Sequence, residues 1–124
     1  KNVRSYYLQR ISDFKLSSFI RVLKSNLNSD PTPHLFVIDL PNRDLLIKFL
    51  KRYGIESYVH YPKPIHLVPA FSFLEYKKGD FPVAEKLSER ILSLPFHQGL
   101  SRKAIDYILS AVREFYRLHT RRIR

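Results

Sequence analysis

Five histidines, His34, His60, His66, His97 and His119, are the side chains of this sequence best suited to exchange protons near neutral pH. Two of them, His60 and His66, bracket the run PKPIHLVP at 62–69, and Tyr61 stands between them. Proline fixes φ and removes a backbone donor, so this segment predicts a stiff, extended connection unable to form a regular helix or central strand. Three kinds of chemistry suit the bracketed residues. A metal pair would need a carboxylate at ligand spacing, and none is present. Imidazole and phenol groups on a rigid loop could instead donate hydrogen bonds to phosphate oxygens or sugar hydroxyls. The rings could also simply bond nearby backbone carbonyls, and the residues alone give this structural reading the edge. His34 and His97 begin and follow apolar strands, and His119 lies on an apolar helical stripe, so packing roles are expected for all three.

Other catalytic patterns are missing. No nucleophile elbow or zinc-protease motif occurs, and Gly54, Gly79 and Gly99 are too few for a glycine-rich phosphate loop. Zero cysteines exclude a disulfide framework and a zinc–thiolate site. Aromatic residues make up 14% of the chain, which could suggest base stacking, yet Phe36, Phe49 and Phe115 sit in core-like patterns.

These groups must be positioned by one domain's worth of chain, because 124 residues support one core and not two. No apolar run approaches the ~20 residues of a membrane-spanning helix, and no signal-peptide pattern opens the sequence. A cytoplasmic protein is expected. The absence of methionine and a first segment already helical in pattern predict a piece of a longer chain. The net charge of +11 is concentrated at the ends: six basic against two acidic groups in residues 1–30, and five against Glu114 in 111–124. Nucleic acid or another polyanion is one implied partner, and a solvated helix face with a basic tail is the plainer reading.

Val3, Tyr7, Ile11 and Phe14 form a helical stripe, and 19–23 reads as a short strand. The run NLNSDPTP at 26–33 predicts a loop. HLFVIDL at 34–40 is the clearest strand. Asn42 is expected to N-cap a helix carrying Leu46, Phe49, Leu50 and Tyr53, which Gly54 closes. IESYVHY at 55–61 reads as another strand, giving a strand–helix–strand α/β arrangement. Residues 70–79 form an aromatic loop. A helix from Phe81-Pro82 then points Val83, Leu87 and Ile91 one way, and 92–96 is a short strand or extended stretch. Ser101 should N-cap the last helix, along which Ile105, Ile108, Leu109, Val112, Phe115 and His119 recur. The fold class expected is α/β (α+β): a small open sheet of three to four strands packed with about four helices.

From His34 onward the blocks HLFVI, GIESYVHYPKPIHLVPAF and KKGDFPVAEKLSERILSLP, followed by an amphipathic helix, resemble the C-terminal small domain of the DegT/DnrJ/StrS sugar aminotransferases. The likeness is close over about 85 residues at 34–119 and poor over 1–33. It implies the fold of the C-terminal domain of fold-type-I PLP aminotransferases. It also implies an enzyme, active only as a whole, that uses pyridoxal phosphate (PLP) to aminate nucleotide-linked keto sugars in amino-sugar or cell-surface polysaccharide biosynthesis. PLP would be held by a large domain carrying the Schiff-base lysine. Lys48, Lys51, Lys63 and Lys86 offer no candidate for that lysine, so the chain alone is expected to bind no cofactor and to lack activity.

The resemblance further implies that His60 and Tyr61 approach the diphosphate and sugar of the substrate, often across a dimer interface, and that His66 lines the same cleft. SLP at 93–95 looks like a structural turn, and Asp39 decides nothing. The partners implied are the large domain, a nucleotide sugar and a second copy in a homodimer, with no membrane. The competing reading is a stand-alone, non-catalytic basic binding or assembly module for nucleic acid or another polyanion. A small domain parted from a large one should expose an apolar patch and self-associate.

Overall fold

A computed structural model describes residues 2–24 and 32–120. Helix α1 (Asn2–Asp13) buries Tyr7 and Ile11, four residues apart on one face, as the stripe predicts. Lys15 then takes a left-handed conformation and a single 3-10 turn, Leu16–Ser18, leads into strand β1 (Arg21–Val22). The strand expected at 19–23 is thus real but only two residues long. The loop expected at 26–33 lies largely outside the described residues.

Strand β2 (Phe36–Asp39) is central, pairing antiparallel with β1 and with β3 (Ile91–Leu94). Alternation along these strands gives the sheet two faces. Phe36 and Ile38 are fully buried and register with Leu94 and Leu92, while the Tyr7 ring stacks on Phe36 at 4.3 Å. That face carries the core. Val37, Asp39, Ser93 and Ile91 register on the opposite face.

Helix α2 (Arg43–Arg52) buries Leu46, Phe49 and Leu50 against α4 (Arg102–His119), whose Ile105, Ile108, Leu109, Val112 and Phe115 are buried as their spacing requires. Gly54 closes α2 at φ +70°: its N–H bonds the Lys51 carbonyl and the N–H of Ile55 bonds that of Leu50. That pair of bonds satisfies two carbonyls at the helix end, and a glycine reaches this conformation without a Cβ clash. Ser101 caps α4 by accepting a bond from the Ala104 N–H at 3.1 Å.

Several expectations are corrected. Asn42 makes no capping bond, because its left-handed backbone (φ 57°) belongs to the turn out of β2. Residues 55–61 form no strand: only Tyr58 pairs, through two bonds with Ser93, since β3 ends before Pro95 and the chain turns away at His60. The sheet is therefore wholly antiparallel among the described residues, not built on a strand–helix–strand crossover. The prolines at 62–69 permit a 3-10 turn at Ile65–Leu67, and a longer 3-10 stretch, Pro69–Leu74, replaces the expected loop, because 3-10 turns need few backbone donors. Helix α3 (Pro82–Arg90) leaves Val83 exposed and ends before Ile91; Ser88 is its buried residue.

Candidate substrate-binding site

His60 and Tyr61 lie just past the single bridge between Tyr58 and Ser93, on the outer edge of β3. The bridge places His60 beside Ser93, whose side chain points away from the core face. There His60 Nδ1 lies 2.9 Å from Ser93 Oγ, and Ser93 itself is buried. One ring nitrogen is thus held by a hydroxyl on the sheet, and among the described residues Nε2 has no hydrogen-bond partner. The peptide joining His60 to Tyr61 is cis. The two rings meet edge to face at 5.7 Å, and Tyr61 is 73% exposed, so its phenol reaches solvent.

Tyr61 also walls a cleft of about 590 Å³ that runs between the proline-rich segment and α3, lined by Pro62, Pro64, Ile65, Ala84, Leu87 and Ile91 among others. These walls are almost wholly apolar. Such a cleft offers shape, and the polar contacts come from its rim.

His66 is placed differently. Its side chain is buried, with Nε2 2.9 Å from Glu85 Oε1 and the ring edge-on to Phe81 at 4.8 Å. The structure joins His60 to Tyr61 and joins His66 to the start of α3. The bond from His66, opposed by burial and aided by the N–H groups of Gly79 and Phe81, holds the Glu85 carboxyl below its usual range. His34 and His97 are exposed, whereas His119 stacks on Phe115 at 4.2 Å and bonds the Phe115 carbonyl, which is the packing role its spacing predicts.

Ser93 was hidden within an apparently structural turn, and Glu85 within a polar helix face. A single hydroxyl inside the apolar run ILSL is the signal that points to Ser93. No cluster of three or more metal-ligating side chains occurs among the described residues. Every described lysine is exposed.

The family model matches residues 1–113. This chain belongs to the DegT/DnrJ/EryC1/StrS aminotransferase family. It is 42% identical over 85 residues to the erythromycin biosynthesis sensory transduction protein EryC1 of Saccharopolyspora erythraea, covering 68% of this chain and 23% of that protein. It is 38% identical over 88 residues to the dTDP-3-amino-3,4,6-trideoxy-alpha-D-glucose transaminase of Streptomyces venezuelae, covering 71% of this chain and 23% of the relative. The crystal structure of S. venezuelae DesV in complex with a ketimine intermediate superposes with a TM-score of 0.81 at 31% identity, over 90% of this chain and 30% of that one. The chain therefore spans about a quarter of the length of these curated relatives. The expected family and the expected mixed fold with a small open sheet are both borne out.

Proposed function

We propose that this chain is the C-terminal small domain of a PLP-dependent aminotransferase acting on nucleotide-linked keto sugars, and that its own share of the work is to grip the substrate. Family membership supports the reaction class, and the names of relatives acting on dTDP- and UDP-linked sugars support the substrate class. The observation that carries the assignment of the site is the pin between His60 Nδ1 and Ser93 Oγ, which presents the imidazole beside an exposed phenol at the mouth of the cleft. In this reading His60 Nε2 and the Tyr61 hydroxyl donate to phosphate oxygens or sugar hydroxyls of a bound nucleotide sugar. His66 is the third residue of this reading; with Nε2 turned to Glu85, only its Nδ1 remains for a ligand.

The described residues do not fit PLP, because no lysine among them is enclosed. The cofactor belongs, in this proposal, to a large domain, and the chain alone is inactive. That domain, and a second subunit in a homodimer, would cover the apolar side chains now in solvent, of which Tyr61, Ile65, Phe73 and Val83 are each more than 70% exposed. No helix among the described residues is long and apolar enough to cross a membrane, which is compatible with a cytoplasmic enzyme.

The test joins the chain to a large domain of the family and replaces His60 and Tyr61 by Phe. Loss of each neutral bond should cost about 0.5–1.5 kcal/mol, and about twice that if charge-assisted, read as a rise in KM for the nucleotide sugar. Unchanged KM and kcat would remove the reading. The competing module for nucleic acid or another polyanion has less support, since the net charge of +11 speaks for it while the family match speaks for an aminotransferase.

A further inference from the structure

A second concave site lies on the same outer face of the sheet, at the opposite side of α3. Arg21 on β1 and Asp39 on β2 are direct cross-strand partners, and Arg90 immediately precedes Ile91, the partner of Asp39 on β3. The antiparallel register thereby brings two guanidinium groups to one carboxylate. Asp39 Oδ2 accepts from Arg21 Nε at 3.0 Å and Nη2 at 2.7 Å, and Oδ1 accepts from Arg90 Nε at 2.6 Å. The Asp39 side chain is only 5% exposed, against 69% for Arg21 and 33% for Arg90. The acid is therefore the floor, and the bases rise from it toward solvent.

These three residues line a groove of about 600 Å³ between α3 and residues 17–21. Lys86 stands on its wall, exposed and without an ion-pair partner among the described residues. Three cations thus line a groove with a single carboxylate, whose two oxygens are both already engaged by Arg21 and Arg90. A guanidinium has five N–H donors. Arg21 spends two on Asp39 and Arg90 one, and among the described residues neither has a further partner. Among the described residues the remaining donors meet no acceptor. Phe19, Val83 and Leu87 add apolar walls that thin the surrounding water and strengthen charge–charge attraction.

We propose that this groove is a binding site for a small dianionic oxyanion, either a phosphate or a dicarboxylate, received by Arg21, Arg90 and Lys86. The buried carboxylate orients both arginines before a ligand arrives, so less side-chain freedom is lost on binding. Burial pushes the Asp39 carboxyl up, but the bonds from Arg90 and Arg21 outweigh it and hold it below its usual range, so the clamp stays charged at neutral pH. This site is independent of the His60–Tyr61 cleft and stands or falls without it.

The test titrates the 124-residue chain with inorganic phosphate and, separately, with succinate at constant ionic strength, following backbone amide shifts by NMR. Saturable shifts at Ser18, Phe19, Val83 and Lys86 are expected with one or both probes; which probe binds tells phosphate from carboxylate recognition. Lys86→Gln should weaken binding about fivefold, the upper range for one partly exposed charge pair. Lys103→Gln, on α4 outside the groove, should leave the titration unchanged. Arg90→Gln also disturbs the sheet, so the exposed Lys86 carries the decision. Shifts spread evenly over the basic face of α4, no saturation at the groove, or a Lys86→Gln titration equal to the parent's would each overturn the proposal.

Discussion

His66 Nε2 lies 2.9 Å from Glu85 Oε1, and the same carboxylate receives the Gly79 N–H at 2.8 and 3.0 Å and the Phe81 N–H at 3.4 Å. One acid on α3 thus ties the proline-rich segment to the turn that starts the helix. Two backbone donors just ahead of the helix are satisfied in the same stroke.

Glu85→Ala should therefore free the Gly79 and Phe81 amides and release His66. Hydrogen exchange at those two amides should speed up markedly, with little change in α4. Because the folded Glu85 carboxyl titrates below its ordinary value, this tie is complete above pH 4.5 and is lost as pH falls through the lower, folded value. Amide protection that stayed constant down to pH 2 would contradict the arrangement.

Ser93→Ala removes the hydroxyl that fixes His60 Nδ1 and leaves the backbone pairing with Tyr58 intact. A loss of about 1 kcal/mol in stability is expected from one bond. The decisive readout is the nitrogen NMR spectrum of the His60 ring, whose two nitrogens should lose their distinct environments. In the enzyme assembled with a large domain, the same variant should raise KM. If His60→Phe raises KM and Ser93→Ala does not, the ring acts without its pin.

Asp39→Asn strips the charge that holds Arg21 and Arg90. The pair is half in solvent, so a cost of about 1–3 kcal/mol at pH 7 is expected in denaturant unfolding. The depressed carboxyl contributes its full stability above the ordinary value of 3.8, and that contribution fades as pH drops through the folded value. The gap between parent and variant should consequently narrow in strong acid. A gap independent of pH would show that packing, not charge, sets the cost.

Gly54→Ala tests the end of α2. No atom lies within 4 Å of the Cβ that alanine would add, so the penalty is that of the left-handed backbone alone, about 1 kcal/mol. Thermal unfolding should show it without any change in α4.

The exposed apolar side chains around Ile65, Phe73 and Val83 should drive self-association of the isolated chain. Sedimentation velocity should show a mass rising with concentration, and Phe73→Ser should reduce the effect. A compact monomer at every concentration would count against this surface being normally covered.

Much of this was legible in the residues themselves. The 3.6-residue spacing of Leu46, Phe49 and Leu50, and of Ile105 through Phe115, fixed which faces are buried, because a helix has one apolar side to hide. The Ser101 cap and the Gly54 stop could be read locally, since each depends on only a few neighbouring residues. Propensity misled at 55–61, where β-branched and aromatic residues suggest a strand but only Tyr58 finds a partner. Strand formation needs continuous pairing along an edge, and past the single Tyr58–Ser93 bridge the chain bends away at His60.

The site divides in the same way. Order along the chain sufficed to single out His60, Tyr61 and His66 and to recognise the family. Which of them share a place was decided by folding: Ser93, thirty-three residues away, takes hold of His60, while Glu85 turns His66 toward α3. Asp39 and its two arginines are likewise distant along the chain and adjacent only through strand register. Local periodicity and capping follow from covalent spacing, which a sequence states outright; the pairing of distant side chains follows from how strands align and turns close, which only the packed chain settles.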